Sequence, residues 1–186
     1  MSELRVPLDA ADHFVGDPAA AAVALVEYGD YQCPFCQAAH PVVIDLLRRF
    51  GADLVFAYRH FPLTEIHPLA KPAAETAEFA GAFDRFWEMH ATLYASGPQL
   101  TAQTLFLIAD GLGLDAGLLR KALAAGTYAA KVESDYAGGL ASGVTGTPCF
   151  FINGHRHEGR NDETSLGRAI ESARRAASAP AARLSA

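Results

Sequence analysis

Two cysteines separated by two residues carry the most reactive chemistry in this sequence. Cys33 and Cys36 stand in the stretch GDYQCPFC, where a strand pattern gives way to a helix pattern. This spacing lets both sulfurs lie on the first turn of a helix, close enough to form a disulfide without a large backbone movement. Unpaired N–H groups at a helix N-terminus favour thiolate over thiol. We therefore expect Cys33 to be an outward-facing nucleophile and Cys36 to be a shielded sulfur that resolves the mixed disulfide.

A C-x-x-C pair also occurs in structural zinc sites, so a metal centre is the alternative. A tetrahedral zinc site would need a second C-x-x-C or a C-x-x-H to supply the remaining ligands. The sequence has neither, because Cys149 stands alone and the histidines are scattered. Redox chemistry is favoured, and we expect no metal and no cofactor besides the Cys33–Cys36 disulfide itself.

Composition narrows the choice of partners and of cellular compartment. The chain has 186 residues, of which 51% are hydrophobic, and a formal net charge of -6 that is not gathered into blocks. We therefore expect neither a nucleic acid nor a membrane surface as partner. The N-terminal residues lack the apolar core and cleavage site of a signal peptide, and no apolar run reaches membrane-spanning length. These features predict a cytoplasmic protein, either a monomer or a weak dimer.

Apolar patterns on both sides of the cysteines predict the elements that position them. Residues 22–28 are rich in β-branched and aromatic types, which is typical of a strand buried on both faces. An amphipathic helix begins at the cysteines and ends at Gly51, and Pro41 within it should kink the axis. Residues 53–61 alternate as a second strand. Together they predict a right-handed βαβ unit with a parallel pair of strands.

The rest of the chain predicts a long helical segment followed by a second, smaller part of the sheet. The run from Gly146 to Gly154 is a strand ending in an Asn-Gly turn, and a partner strand and a terminal amphipathic helix follow. We therefore predict an α/β domain formed by residues 1–62 and 141–178, an inserted helical subdomain at 63–140 and a flexible tail at 179–186. The expected helices of the insertion lie near residues 66–81, 83–96, 101–111, 115–125 and 128–140.

These features together resemble the thioredoxin superfamily, and two motifs resemble its DsbA-like branch, especially the bacterial members. The stretch from Leu25 to Cys36 follows the pattern L-V-E-Y-G-D-Y-x-C-P-x-C, and the stretch from Gly146 to Gly154 follows G-T-P-x-F-F-I-N-G. The joint match is far more specific than C-x-x-C alone, and the resemblance covers about residues 5–175. It implies a thioredoxin-like fold, with a central mixed sheet built from βαβ and ββα halves, and a thiol–disulfide oxidoreductase activity.

The resemblance also implies roles for residues outside the cysteine pair. The Thr147-Pro148 bond should be cis and face the thiols, so that the N–H and C=O of Thr147 can bind an extended peptide by strand addition. The alternative is a trans proline that merely opens a strand. Glu27 should be a buried acid beneath Cys36 that accepts its proton during resolution. A strand-end glutamate that faces solvent is the alternative for Glu27.

The two residues between the cysteines should tune the redox potential. They are Pro34 and Phe35, and Phe35 departs from members that carry a histidine or another polar residue there. Because Phe35 offers no hydrogen-bond donor, the Cys33 thiolate depends on the helix end and on backbone N–H groups. Each unit by which the pKa of Cys33 falls favours the reduced form by roughly 30 mV, so a thiolate without this help makes a weaker oxidant. We therefore expect a weaker oxidant than the histidine-bearing members.

The sequence as a whole predicts an enzyme that exchanges disulfides with protein or peptide substrates and is recycled by an unidentified redox partner. A reducing cytosol favours the reductase or isomerase direction. The alternative from another functional class is a non-redox peptide-binding module that uses the groove beside Pro148. Cys149, directly after Pro148, is either a third redox thiol or a small buried apolar residue.

Overall fold

The computed structural model describes residues 3–178, which form five strands and seven α-helices. The predicted tail at 179–186 lies outside the described residues. The last helix extends to Ser178. In chain order the elements are β1 (His13–Val15), β2 (Val23–Gly29), α1 (Pro34–Phe50), a short 3-10 helix (Gly51–Asp53), β3 (Leu54–His60), α2 (Ala70–Gly81), α3 (Phe86–Ala95), α4 (Ala102–Gly111), α5 (Ala116–Ala125), α6 (Ala129–Ala141), β4 (Cys149–Ile152), β5 (His155–Arg156) and α7 (Glu163–Ser178).

The strands form one mixed sheet in the order β1-β3-β2-β4-β5. Strands β2 and β3 are parallel, whereas the other neighbouring pairs are antiparallel. The apolar residues of β2 and β3 are buried on both faces, as expected for a parallel pair at the centre of a sheet. The units β2-α1-β3 and β4-β5-α7 are the βαβ and ββα halves of a thioredoxin-like fold, so the predicted fold class is confirmed.

Helix α1 carries the cysteine pair from the end of β2 across one face of the sheet. Its first residue is Pro34, a position where the missing N–H of proline removes no helical hydrogen bond. Val43, Leu46 and Phe50 are buried at helical spacing against the sheet. The helix is continuous through Pro41, and the expected kink at this residue stays a prediction.

Five helices, α2 to α6, lie between β3 and β4, where the helical insertion was expected. Helix α2 begins at Ala70 rather than near residue 66, because Pro68 disfavours helical geometry at the residue before it. Helix α3 begins at Phe86 rather than at residue 83, and Asp84 before it has a positive φ of 58°. None of the helices described over residues 3–178 has both the length and the apolar character needed to cross a bilayer.

The insertion shares its hydrophobic core with the sheet. Ala77 of α2 and Leu93 of α3 belong to the same buried cluster as Leu25 of β2 and Phe56 of β3. A second cluster covers the opposite face of the sheet and includes apolar residues of β2, β4 and α6. The division into a thioredoxin-like domain and a helical subdomain stays a prediction, and the shared cluster shows that the two parts pack as neighbours.

Candidate active site

The cysteine pair lies at the N-terminus of helix α1, in and after the loop that follows strand β2. Cys33 is the N-cap residue of α1, and its backbone N–H donates to the carbonyl oxygen of Asp30 at 3.1 Å. Its sulfur lies 3.3 Å from the carbonyl oxygen of Thr147, to which the thiol donates. Cys36 occupies the first turn of the helix, and both cysteines carry free thiols.

The expectation that Cys33 faces outward is wrong. Only 3% of Cys33 is accessible to solvent, and Cys36 is completely buried. The carbonyl oxygen of Thr147 lies against the sulfur of Cys33, at 3.3 Å. The exposed residue of the motif is Phe35, which is 72% accessible.

The two sulfurs differ strongly in acidity, in the order that their predicted roles require. A hydrogen bond from Cys36 is the main cause that lowers the pKa of Cys33 to about 5, and backbone N–H groups of Cys36 and Phe35 contribute, while burial acts in the opposite direction. Burial raises the pKa of Cys36, and so do its hydrogen bond to Cys33 and the nearby Glu27 carboxylate. Cys33 is therefore the thiolate near neutral pH and Cys36 keeps its proton.

The proline loop after the insertion lies beside the cysteine pair. The Thr147–Pro148 peptide bond is cis, as the resemblance implies. Asn161 donates from its side-chain amide to the carbonyl oxygen of Pro148 at 3.4 Å. The hydroxyl oxygen of Thr147 is buried and has no hydrogen-bond partner among residues 3–178. The structure thus brings together two regions that lie more than a hundred residues apart in the sequence.

Glu27 is buried within the sheet next to the cysteines, so the alternative of a solvent-facing side chain is wrong. Only 1% of Glu27 is accessible, and it pairs with Tyr58 in the parallel register of β2 and β3. Burial, and then the neighbouring Cys33, raise the pKa of Glu27 to about 8. Its Oε1 atom has no hydrogen-bond partner within residues 3–178. A carboxyl group in this state can take up or release a proton near neutral pH.

Cys149 does not join the cysteine pair. It pairs with Tyr28 in the antiparallel register of β2 and β4 and belongs to the cluster on the opposite sheet face from Leu25 and Cys36. Only 5% of Cys149 is accessible, and burial raises the pKa of its thiol. The interpretation of Cys149 as a small buried residue is confirmed.

Two polar residues at the site have roles that sequence reasoning missed. Asp30 and Gln32 are buried in the loop before Cys33 and bond to segments far away in the sequence. The sequence signals for them were the place of Asp30 in the L-V-E-Y-G-D-Y-x-C-P-x-C pattern and that of Gln32 directly before Cys33, but their partners follow no fixed spacing. Over residues 3–178, no group of three His, Cys, Asp or Glu side chains is arranged to hold a metal ion.

The chain is similar in sequence to part of several larger proteins. The chain is 42% identical over 171 residues to a Na(+)/H(+) antiporter NhaA 1 from Salinispora arenicola, covering 92% of this chain and 26% of that protein. It is 40% identical over 171 residues to a Na(+)/H(+) antiporter NhaA 3 from Salinispora tropica, with the same coverage. The chain thus spans about a quarter of the length of the curated relatives that it matches.

Solved structures with the same fold include two bacterial proteins. BdbD from Bacillus subtilis superposes with a TM-score of 0.82 at 21% identity, covering 94% of this chain and 98% of that one. A thioredoxin-like oxidoreductase from Silicibacter pomeroyi superposes with a TM-score of 0.77 at 24% identity, and the superposition covers 90% of this chain and 94% of that one. The family model described as thioredoxin matches residues 9–172. The chain therefore belongs to the thioredoxin family and has the fold of its DsbA-like members.

Proposed function

We propose that this protein is a protein-disulfide oxidoreductase that exchanges disulfides with protein or peptide substrates. The observation that carries the proposal is the pairing of a low-pKa Cys33 with a buried high-pKa Cys36 at the N-terminus of α1. The Cys33 thiolate attacks one sulfur of a substrate disulfide and releases the other sulfur as a thiolate. Cys36 then attacks Cys33, loses its proton and releases the second substrate thiol. The substrate gains two electrons, and the protein is left with a Cys33–Cys36 disulfide.

The groove beside Pro148 is proposed to hold the substrate backbone during these steps. The carbonyl oxygen of Thr147 is 3.3 Å from the Cys33 sulfur, so a peptide N–H that pairs with it would bring a neighbouring disulfide to the nucleophile. The cycle uses no dissociable cofactor. A separate dithiol or disulfide, the redox partner, restores the starting state.

Acceleration of insulin reduction by dithiothreitol tests the proposed activity. Reduced insulin B chain precipitates, so turbidity reports the rate, and a protein-disulfide oxidoreductase should shorten the lag before precipitation. If the purified protein leaves the lag unchanged at catalytic and at equimolar concentrations, the proposal is wrong.

The alternative of a non-redox peptide-binding module makes a different prediction. Such a module would bind an unfolded peptide that contains no cysteine, with the same affinity for the oxidised and reduced states of the protein. Fluorescence anisotropy of a labelled cysteine-free peptide measures this affinity. Binding without any effect on insulin reduction would favour the binding module over the oxidoreductase.

The direction of exchange is proposed to be reduction or isomerisation in the cytosol. The support is compositional, because a lone C-x-x-C pair without a disulfide framework is typical of redox-active cysteines in reducing compartments. Rapid acid quenching of cells followed by alkylation reports the redox state of the pair. A mostly oxidised Cys33–Cys36 pair would contradict this direction.

Phe35→His is expected to make the pair more oxidising. A histidine at this position places a donor near the Cys33 sulfur and stabilises the thiolate further, so the reduced form gains stability. We expect the reduction potential to rise by roughly 30 mV for each unit by which the pKa of Cys33 falls. Equilibration with glutathione buffers measures the potential. Phe35→Leu is the matched control and should leave it unchanged, and an unchanged potential in Phe35→His would contradict the tuning role.

The substrate and the redox partner can be captured as mixed disulfides with a Cys36→Ser variant. The antiporter relatives contain this domain as about a quarter of their length, so a membrane transporter is the partner class that we propose to seek first. Mass spectrometry of adducts from detergent-solubilised cells would identify it. Adducts formed solely with non-membrane proteins would remove this partner class.

A further inference from the structure

Asp30 is a buried residue beside the cysteine pair that takes no part in the exchange steps. Its side chain is fully buried in the loop between β2 and α1. One carboxylate oxygen accepts from the backbone N–H of Gln32 at 2.8 Å. The other accepts from the backbone N–H of Leu63 at 2.9 Å and from Nδ1 of His67 at 2.8 Å. Its backbone carbonyl oxygen accepts from the N–H of Cys33 at 3.1 Å. Asp30 therefore joins the active-site loop to the loop after β3.

Gln32, the residue directly before Cys33, makes a second connection to the helical insertion. Its side-chain oxygen accepts from the backbone N–H of Leu69 at 2.5 Å. Its side-chain nitrogen donates to the carbonyl oxygen of Pro98 at 3.2 Å. Asp30 bonds to the backbone N–H of Gln32, so Gln32 is held both through its backbone by Asp30 and through its side chain by Leu69 and Pro98. The position of Cys33 is thus defined from the insertion as well as from the sheet.

Only a carboxylate satisfies the hydrogen bonds around Asp30. The backbone groups of Gln32 and Leu63 are donors, and the ring of His67 donates to a group that can only accept. An asparagine would turn its NH₂ group toward at least one of these N–H groups, whichever way its amide is oriented. A buried N–H that loses its acceptor costs about 1–3 kcal/mol. The charge on Asp30 also strengthens each of the three bonds.

The geometry points to Asp30 as a positioning residue for disulfide exchange: by joining Gln32 to Leu63 and His67, it holds the Cys33 sulfur at the N-terminal end of α1. This inference rests on the proposed function. The thiolate of Cys33 depends on a hydrogen bond from Cys36 and on the N–H groups at the helix end, and these contacts are lost when Cys33 moves away from the N-cap.

Asp30→Asn is expected to raise the pKa of Cys33 by about one unit, which lowers the thiolate fraction at acidic pH about tenfold. His67→Leu removes one donor and should shift the pKa in the same direction by a smaller amount. His67→Asn keeps a donor near the position of Nδ1 and should restore the wild-type value. The pH dependence of Cys33 alkylation by iodoacetamide, followed by peptide mass spectrometry, measures these shifts without requiring turnover.

Asp12→Asn is the matched control for a general loss of stability. Asp12 is also a buried carboxylate that accepts three hydrogen bonds, two of them from Arg59. Arg59 also bonds to the hydroxyl of Tyr28, whose ring belongs to the cluster on the opposite sheet face from Cys33. Asp12→Asn should therefore lower the melting temperature and leave the alkylation profile of Cys33 unchanged.

The positioning role is overturned if Asp30→Asn and His67→Leu lower the melting temperature but keep the wild-type alkylation profile. An equal shift in Asp12→Asn would overturn it as well. If Asp30→Asn does not fold, His67→Leu against His67→Asn decides in the same way. Wild-type insulin reduction reports separately on the proposed function, so a failure there is distinguishable from a failure of the Asp30 experiment.

Discussion

Cys33→Ser is expected to abolish catalysed disulfide exchange, whereas Cys36→Ser should stop the cycle one step later with the substrate still attached. A serine hydroxyl does not ionise near neutral pH, so Cys33→Ser has no nucleophile at the helix end. In Cys36→Ser the thiolate of Cys33 is still present, because the serine hydroxyl can donate to it in place of the Cys36 thiol. Insulin reduction should fall to the uncatalysed rate in both variants, and only Cys36→Ser should form a stable adduct.

Covalent adducts with a peptide disulfide separate the two variants. Intact-protein mass spectrometry should find one peptide per chain in Cys36→Ser and none in Cys33→Ser within the same time. Cys149→Ser is the control, because this buried cysteine lies on the opposite sheet face and should keep wild-type turnover. An adduct on Cys36 in Cys33→Ser at the wild-type rate would show that the roles of the sulfurs are reversed. Undiminished peptide binding without turnover would favour the binding module.

Local patterns in the sequence were sufficient to predict the framework of the site. The apolar run before Cys33 and the helical periodicity after it predicted β2 and α1 with boundaries one residue away from those observed. The family resemblance carried by the Gly146 to Gly154 motif implied the cis bond and its approach to the thiols, and both are observed. These features can be predicted from the sequence because strand alternation, helix periodicity and the motif each occupy a continuous stretch of the chain.

The parts of the site that depend on contacts between distant segments of the chain could not be predicted from the sequence. Asp30 bonds to Leu63 and His67 through single side-chain contacts, which leave no periodic trace in the sequence. The burial of Cys33 was missed for the same reason, since Thr147, whose carbonyl oxygen contacts its sulfur, lies in the loop before β4.

Glu27→Gln is expected to slow the attack of Cys36 on the mixed disulfide by about 100-fold, the lower end of what a positioned general base contributes. Burial raises the pKa of Cys36 well above its ordinary value, so the thiol needs a neighbouring base before it can attack. Glu27 is buried next to the pair with a pKa of about 8. The wild-type rate should therefore rise through pH 8 as Glu27 loses its proton, and this step should vanish in Glu27→Gln.

Release of glutathione from a preformed Cys33 mixed disulfide isolates this step from substrate binding. The single-turnover rate is measured across the pH range by acid quenching and mass spectrometry. Glu78→Gln is the matched control: Glu78 is a buried glutamate, but its carboxylate is bonded to His13 and His60 rather than placed at the thiols. Its rate and pH profile should follow the wild type. A wild-type rate and profile in Glu27→Gln would remove Glu27 from the mechanism.

The stability of the same variant provides an independent check on the buried carboxyl group. Because the pKa of Glu27 is raised from 4.5 to about 8 by folding, the folded state keeps a proton that the unfolded state releases. Glu27 should therefore contribute a fall in the free energy of unfolding of about 1.4 kcal/mol for each pH unit between 4.5 and about 8, whereas the lowered pKa of Cys33 contributes an opposite rise that wild type and variant share. Glu27→Gln should lack this decline and be more stable than the wild type at alkaline pH. Urea denaturation at several pH values measures the difference, and the combination of higher stability with slower resolution distinguishes a buried proton acceptor from a residue that merely supports the fold.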